Sequence, residues 1–156
     1  MKHTIVTAVL FVSLFLTPDV ASVLADEAAN TEQIKSLSED RRELLLYGID
    51  SQVIELIDDL KEEKDSSLLG EVHATLKTTA NPRIRTRVFD YFKSVEYVGA
   101  GDDALAVLDA SDDQPADLLL AAVGYLTVSP SPELAVHLSP LLESTDQEVI
   151  RVAVKG

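Results

Sequence analysis

The chain has 156 residues, with 13 Lys and Arg against 27 Asp and Glu, so its formal net charge is −14 at pH 7. So negative a chain repels nucleic-acid backbones and anionic lipid surfaces, and neither is expected to be its main partner. The absence of Cys excludes disulfides, thiolate metal sites, Cys nucleophiles and a lipid anchor on an N-terminal Cys. The absence of Trp argues against a stacking platform for sugars or bases.

Residues 1–25 have the layout of a secretory signal peptide. A short basic start precedes an uncharged run, Ile5–Leu16, and Val23 and Ala25 suit the −3 and −1 positions of a cleavage site. Cleavage is therefore expected after Ala25. The apolar run is shorter than the roughly 20 residues that span a membrane. The mature chain is expected to be exported to a periplasm or the medium without membrane insertion; the alternative is an uncleaved anchor.

Helical periodicity dominates the rest of the chain. After a flexible lead-in over residues 26–31, apolar residues recur every three or four positions, which is the spacing of amphipathic helices. No stretch alternates polar and apolar residues over the length of a strand, so no sheet is expected. Breakers rich in Gly, Pro, Asp and Ser separate the segments and supply N-cap residues. The predicted helices span residues 32–47, 50–63, 66–78, 82–97, 102–110, 114–127, 132–143 and 147–155.

Four segments of this pattern repeat at steps of 31, 32 and 33 residues. They begin at Asp50, Asn81, Asp113 and Asp146. Each of these residues is expected to cap the second helix of a helix pair, and the residues three and seven positions later are expected in the seam between pairs. The seam residues are Val53, Ile84, Ala116 and Val149, then Ile57, Val88, Leu120 and Ala153. A repeat of this length built from two helices is typical of an α-solenoid.

Two of the segments resemble the Asp-x-x-Val-Arg signature of HEAT repeats, namely Asn81-Pro82-Arg83-Ile84-Arg85 and Asp146-Gln147-Glu148-Val149-Ile150-Arg151. In the second segment the Arg comes one position late, and the other two segments have acidic residues nearby instead. The resemblance covers most of residues 32–156. It implies an all-α, HEAT/armadillo-like αα-superhelix of about four helix pairs, over residues 32–65, 66–99, 100–130 and 131–156. Tetratricopeptide repeats, whose Trp-Leu-Gly and Tyr positions are not found, and an irregular bundle are the alternatives.

The last predicted repeat is short, because the chain stops at Gly156. Solenoids usually end in a capping helix with a polar outer face, and the last helix here has apolar residues on that side. We expect the chain to be a fragment of a longer repeat protein. The alternative is that this end is a docking edge.

A basic island interrupts the acidic chain and consists of Lys77, Arg83, Arg85, Arg87 and Lys93. Arg83 and Arg87 are four residues apart and therefore share one helix face. The island could anchor an acidic partner or an anionic ligand. In the structural interpretation, Arg85 instead pairs with an acid of a neighbouring repeat and joins the stack. The acids in question are Asp50, Asp113 and Asp117.

Motifs for catalysis, metal binding and phosphate binding are not found in the sequence, so no cofactor, metal or enzymatic activity is expected. The HEAT resemblance implies that the second helices line an inner surface that binds another protein. Its candidate residues are Glu55, Asp59, Glu62, Arg83, Arg87, Asp90 and Arg151. The expected function is that of an exported protein–protein interaction scaffold. One alternative is a HEAT-like lyase or chaperone-like carrier that handles small molecules, which a shared cavity of Tyr91, His73 and Glu71 would favour. Another is a purely structural spacer in the cell envelope.

Overall fold

The computed structural model describes residues 35–129, 134–143 and 147–155. The chain divides into two compact units, Met1–Ser38 and Glu39–Gly156. Of the first unit, residues 35–38 are described, and they are helical. The predicted signal peptide with its cleavage after Ala25, and the lead-in over residues 26–31, lie outside the described residues.

The described residues form eight α-helices and no strand, which confirms the all-α prediction. All eight helices begin and end within three residues of the predicted bounds wherever those bounds are described. They are α1 (35–47), α2 (Asp50–Glu63), α3 (Leu69–Thr78), α4 (Pro82–Ser94), α5 (Gly101–Asp109), α6 (Ala116–Leu126), α7 (Leu134–Leu142) and α8 (Gln147–Lys155).

The helices of the second unit pack in two layers. In one layer α2 contacts α4, α4 contacts α6, and α6 contacts α8. In the other layer α3, α5 and α7 each pack on the even-numbered helix that follows in the chain, and α5 also contacts α7. Successive helix pairs therefore lie side by side. The apolar stripe of each pair is buried against the neighbouring pair.

Large aromatic side chains of α4 form the centre of the core. Phe89, Tyr91 and Phe92 are fully buried, and the ring of Phe89 lies 5.6 Å from that of Tyr125 on α6. Both tyrosine hydroxyls are hydrogen-bonded to backbone, because an unpaired buried hydroxyl is costly. Tyr125 accepts the N–H of Ala100 at 3.0 Å. The core thus also holds the turn that precedes α5.

The buried face of α6 departs from the predicted repeat register. Leu120, expected in the seam, is 39 % exposed, whereas Leu118 and Ala122 are fully buried. A short 3₁₀-helix over Ser111–Asp113 delays the start of α6 and shifts its buried face by two positions. The equivalent buried residues, separated by 31, 34 and 31 positions, are Val53, Ile84, Leu118 and Val149.

Asn81 caps α4 as predicted and also connects two helix pairs. Its side-chain oxygen accepts the N–H of Arg83 at 2.9 Å, and Pro82 occupies the first helical position, where its missing N–H has no cost. Its amide donates a hydrogen bond of 2.7 Å to Asp50 Oδ2, 31 residues earlier. Two residues that are 31 positions apart, one at the start of each helix, are therefore hydrogen-bonded directly to each other.

The other predicted caps are wrong or lie outside the described residues. Asp50 is the first residue of α2, and the N-cap position belongs to Ile49. Asp113 lies in the 3₁₀-helix, and α6 begins after Pro115 without a side-chain cap. Asp146 lies outside the described residues.

The Asn81–Asp50 bond should depend on one partner donating and the other accepting. Asn81→Asp keeps the cap oxygen but places two carboxylates together, so the free energy of unfolding should fall by about 1 kcal/mol or more. Combining it with Asp50→Asn restores a donor and an acceptor and should recover most of this loss. Urea unfolding of the wild type, the two single variants and the double variant measures the effect; strictly additive losses would contradict the bond.

Tyr91 should make stability sensitive to alkaline pH. Its hydroxyl donates to the carbonyl of Asp65 at 2.6 Å, and burial, with the charge of Asp65, raises the pKa of Tyr91 to about 12. Because this pKa lies above the unfolded-state value of about 10, the stabilisation is complete below pH 10 and is lost as the pH rises towards 12. Its loss amounts to about 1.4 kcal/mol per pH unit in that window.

Tyr91→Phe removes this titration together with a hydrogen bond. The variant should be less stable by about 1 kcal/mol at pH 7. Its stability should fall less than that of the wild type between pH 10 and pH 12. Urea unfolding at pH 7, 10 and 12 compares the two proteins. A pH dependence identical in both would show that Tyr91 does not titrate in this way.

Candidate functional site

The exposed stripe of α4 carries most of the basic island. The helix buries Ile84, Val88 and Phe92 on one side, so the residues offset from them face away from the core. This outer stripe, with members three or four residues apart, consists of Arg83, Arg87, Asp90 and Lys93. The position of the cations is thus a direct consequence of which side of α4 is buried.

A groove of about 570 Å³ runs between α4 and α6 and reaches α2 at one end. The stripe of α4 forms one wall, and the other wall and floor come mainly from apolar or small residues of α6. The lining residues are Ile54, Pro82, Arg83, Thr86, Arg87, Asp90, Lys93, Pro115, Asp117, Leu120, Ala121 and Gly124. A second recess, at the start of α2 and α4, shares Ile54 and Arg83 with this groove. The two depressions therefore adjoin each other at Ile54 and Arg83.

The groove is locally basic in an acidic protein. Arg87 is held between two acids, with Nε 3.5 Å from Asp58 Oδ2 and NH1 3.9 Å from Asp90 Oδ2. Within the described residues, Arg83 and Lys93 make no ion pair. Two of the three cations in the lining therefore have their charge available to a ligand. Asp117 is the acidic residue of the facing wall.

Gly124 lets the ammonium group of Lys93 approach the backbone of α6. A Cβ placed on Gly124 would lie 3.4 Å from Lys93 Nζ, so the ammonium group lies close above the backbone of α6. Thr86 and Ala121 are the other small side chains of the lining. Small residues at these places let the long side chain of Lys93 extend over α6 within the groove.

The structure brings together three of the residues predicted to bind a partner: Arg83, Arg87 and Asp90 line the groove. The other candidates are exposed but do not line it. Three of them lie on α2 and one on α8, namely Glu55, Asp59, Glu62 and Arg151. Arg151 forms an ion pair with Glu148, one turn earlier on its own helix.

The sequence interpretation missed the α6 side of the groove. Leu120 is exposed in it, and Ala121 and Gly124 form part of its floor. A signal was present, because Leu118, Leu119 and Leu120 are consecutive and a helix with one buried face cannot bury all three. The repeat register predicts a buried Leu120 because it does not include the shift that the 3₁₀-helix introduces before α6.

The predicted pairing of Arg85 across the stack is wrong. Within the described residues Arg85 forms no ion pair, and the acids proposed for it, Asp50, Asp113 and Asp117, are not in contact with it through a salt bridge. The polar link between repeats is made one turn earlier by Asn81. A neutral amide therefore takes the place expected for a guanidinium.

His73 joins α3 to the segment around α5. Its Nε2 lies 2.8 Å from Asp103 Oδ2 and its Nδ1 lies 3.0 Å from the Tyr97 hydroxyl. The ring also meets Phe92 edge-on, with centroids 5.8 Å apart. Both ring nitrogens and one face are thus occupied by contacts within the protein. These partners are 24 and 30 residues away along the chain, which sequence spacing does not disclose.

Tyr91, His73 and Glu71 line neither the groove nor the recess beside it. Glu71 accepts a hydrogen bond from Arg42 Nε at 2.6 Å, which lowers the pKa of Glu71. The hydroxyl of Tyr91 is bound to a backbone carbonyl. Each of the three side chains has its own partners, so the small-molecule alternative gains no support from them.

The described part of the chain contains no group of three or more His, Asp or Glu side chains placed to hold a metal ion. None of the helices described there has the length and apolar character needed to cross a membrane. No protein-family model, curated protein or solved structure matches the chain.

We expect replacement of Gly124 by Ala to increase the stability of the protein and to alter the groove. Gly124→Ala favours the helix by about 0.5–1 kcal/mol, and the added Cβ meets the mobile end of Lys93 rather than backbone. The variant should therefore unfold at higher urea concentration while its groove becomes narrower. Gly70→Ala on α3, where a Cβ meets nothing within 4 Å, is the matched control. Destabilisation by Gly124→Ala alone would mean that this position is packed more tightly than the groove implies.

Proposed function

We propose that the protein is an exported scaffold of HEAT-like helical repeats that binds another protein through the groove between α4 and α6. The observation that carries the proposal is the groove itself, in which available cations face an exposed leucine. Exposed apolar groups surrounded by polar ones are typical of protein-binding surfaces. The part played by the groove is binding, since its lining includes no pairing of a nucleophile with a base.

The arrangement of the helices supports the HEAT-like part of the proposal. Helices α2, α4, α6 and α8 follow one another in one layer, and α3, α5 and α7 lie against them. Repeat-equivalent residues are buried at intervals of 31 to 34 positions. The Asn81–Asp50 bond joins the starts of α2 and α4 directly. In arrays of this type one layer of helices commonly forms the binding surface.

Leu120 is the expected anchor of the complex. A partner that covers it removes apolar surface from water, at roughly 25 cal/mol per Å². Such an anchor is most effective at the centre of a contact, surrounded by polar residues that exclude water. Arg83, Arg87 and Asp90 are placed to form part of that polar surround. The exposed charges of α2 and Arg151 of α8 would extend the contact along the same layer.

A photo-crosslinking residue at position 120 tests the proposal. Position 136 on α7, where Val136 is 71 % exposed outside the groove, is the matched control. In extracts of the producing cells we expect one adduct of defined mass from position 120 and none from position 136. The adduct should disappear when Arg83→Glu and Arg87→Glu are combined, while the circular dichroism spectrum stays helical. Equal crosslinking from both positions, or an adduct that survives the charge reversal, would refute binding through the groove.

A further inference from the structure

We infer that the groove between α4 and α6 receives an acidic peptide segment of the partner, with an apolar side chain on Leu120 between carboxylates bound along α4. This inference rests on the proposed function and specifies the chemistry of its partner. Three observations carry it: the charges of the α4 wall, the apolar character of the α6 wall, and the acidic surface outside the groove.

The α4 wall is the cationic side. Arg83 and Lys93 make no ion pair within the described residues, so a carboxylate that approaches either of them does not have to displace an internal acid. Arg87 lies between them and is already shared by Asp58 and Asp90. Close charge pairs in a partly enclosed groove are screened less than pairs on an open surface. Carboxylates of a partner are therefore bound most favourably at the two ends of the stripe, beside Arg83 and Lys93.

The spacing of these two cations sets a length for the ligand. Arg83 and Lys93 are ten residues apart on α4, and at a rise of 1.5 Å per residue this is about 15 Å. An extended peptide covers that distance with four to five residues, and a helical one with about ten. A single small anion cannot reach both sites, so the separation favours a chain with repeated acidic residues.

The α6 wall and the ends of the groove supply the apolar contact. Leu120 and Ala121 face the basic stripe, Pro115 and Ile54 add to the apolar lining, and Asp117 is the acidic residue of this wall. Lys93 Nζ lies 3.4 Å from the position of a Cβ on Gly124, so one cation of the stripe reaches across the groove to this wall. Alternation of acidic and apolar residues in the partner matches this alternation of cations and apolar surface across the groove.

Charge outside the groove discriminates against extended anionic surfaces. The chain carries a net charge of −14, and α2 next to the groove exposes Glu55, Asp59 and Glu62. A flat anionic membrane or a nucleic acid has to approach these acids together with the cations and is repelled. A peptide enters the groove alone, and charges farther away than about 8 Å are screened at physiological salt. The acidic peptide is therefore the occupant that fits both the groove and its surroundings.

Fluorescence anisotropy with three labelled 12-residue peptides tests the inference in 0.15 M salt, an ionic strength that screens distant charges. Each peptide has Leu at positions 4 and 8 and Ser elsewhere, with Glu, Gln or Lys at positions 2, 6 and 10. The three substituted positions, 2, 6 and 10, lie on one face of the peptide whether it is extended or helical. The Glu peptide should bind at least about tenfold more tightly than the Gln peptide, and the Lys peptide should show no saturable binding.

Variants of the full chain connect this binding to the groove. Arg83→Glu and Lys93→Glu should each weaken binding of the Glu peptide about tenfold or more, and Leu120→Asp should also weaken it. Lys77→Glu on α3, an exposed cation outside the groove lining, and Val136→Asp should leave it unchanged. Circular dichroism and urea unfolding confirm that each variant remains folded. An effect of Lys77→Glu as large as that of Lys93→Glu would overturn the assignment to the groove.

The remaining outcomes separate this inference from the proposed function. Equal or tighter binding of the Gln or Lys peptide overturns the acidic partner, and so does binding of phosphatidylserine vesicles that depends on Arg83. Failure of all three peptides to bind overturns it as well. In each of these cases the proposed protein binding would still be supported if position 120 gave a crosslinked adduct that disappeared with Arg83→Glu and Arg87→Glu. Absence of that adduct would instead remove the proposed function.

Discussion

Burial of the apolar face of α4 is the constraint on which the rest of the second unit depends. This helix contacts α2, α3 and α6, and its side chains Val88, Phe89, Tyr91 and Phe92 are fully buried. Fully burying a large apolar side chain contributes about 1.5–3 kcal/mol, so four of them on one helix decide its orientation. The opposite face then has to carry the charges. The basic wall of the groove is therefore the outer side of a helix whose inner side carries the aromatic centre of the core.

The polar groups within this core also have structural roles. The hydroxyls of Tyr91 and Tyr125 bind backbone groups of Asp65 and Ala100, which lie in the connections after α2 and before α5. In the described residues no buried side-chain nitrogen or oxygen lacks a hydrogen-bond partner. Each tyrosine thus fixes the position of a connecting segment relative to the helix that carries the tyrosine.

Uneven distribution of charge reconciles the acidic composition with a basic groove. Many of the acids lie on exposed helix faces, where water solvates them, and some lie in the first turn of a helix, where the positive end of the helix dipole favours them. Asp50, Asp102 and Asp103 are examples of the second kind. The cations concentrate on α4, and only Arg87 in the groove is shared with acids of the protein. At physiological ionic strength a ligand inside the groove experiences mainly the charges within about 8 Å. The net charge therefore describes the electrostatic potential far from the protein, but not the potential inside the groove.

The sequence by itself determined the helices, since their 3.6-residue periodicity and breakers are local properties of the chain. It also placed Arg83, Arg87 and Asp90 on one face, because positions three and four apart coincide on any helix. Only the tertiary structure decided that Leu120 faces these residues and that His73 contacts Asp103. The phase of α6 depends on a 3₁₀-helix before it, and the contacts of His73 join residues 24 and 30 positions apart. Such relations between helices arise from packing, which no periodicity within a single segment encodes.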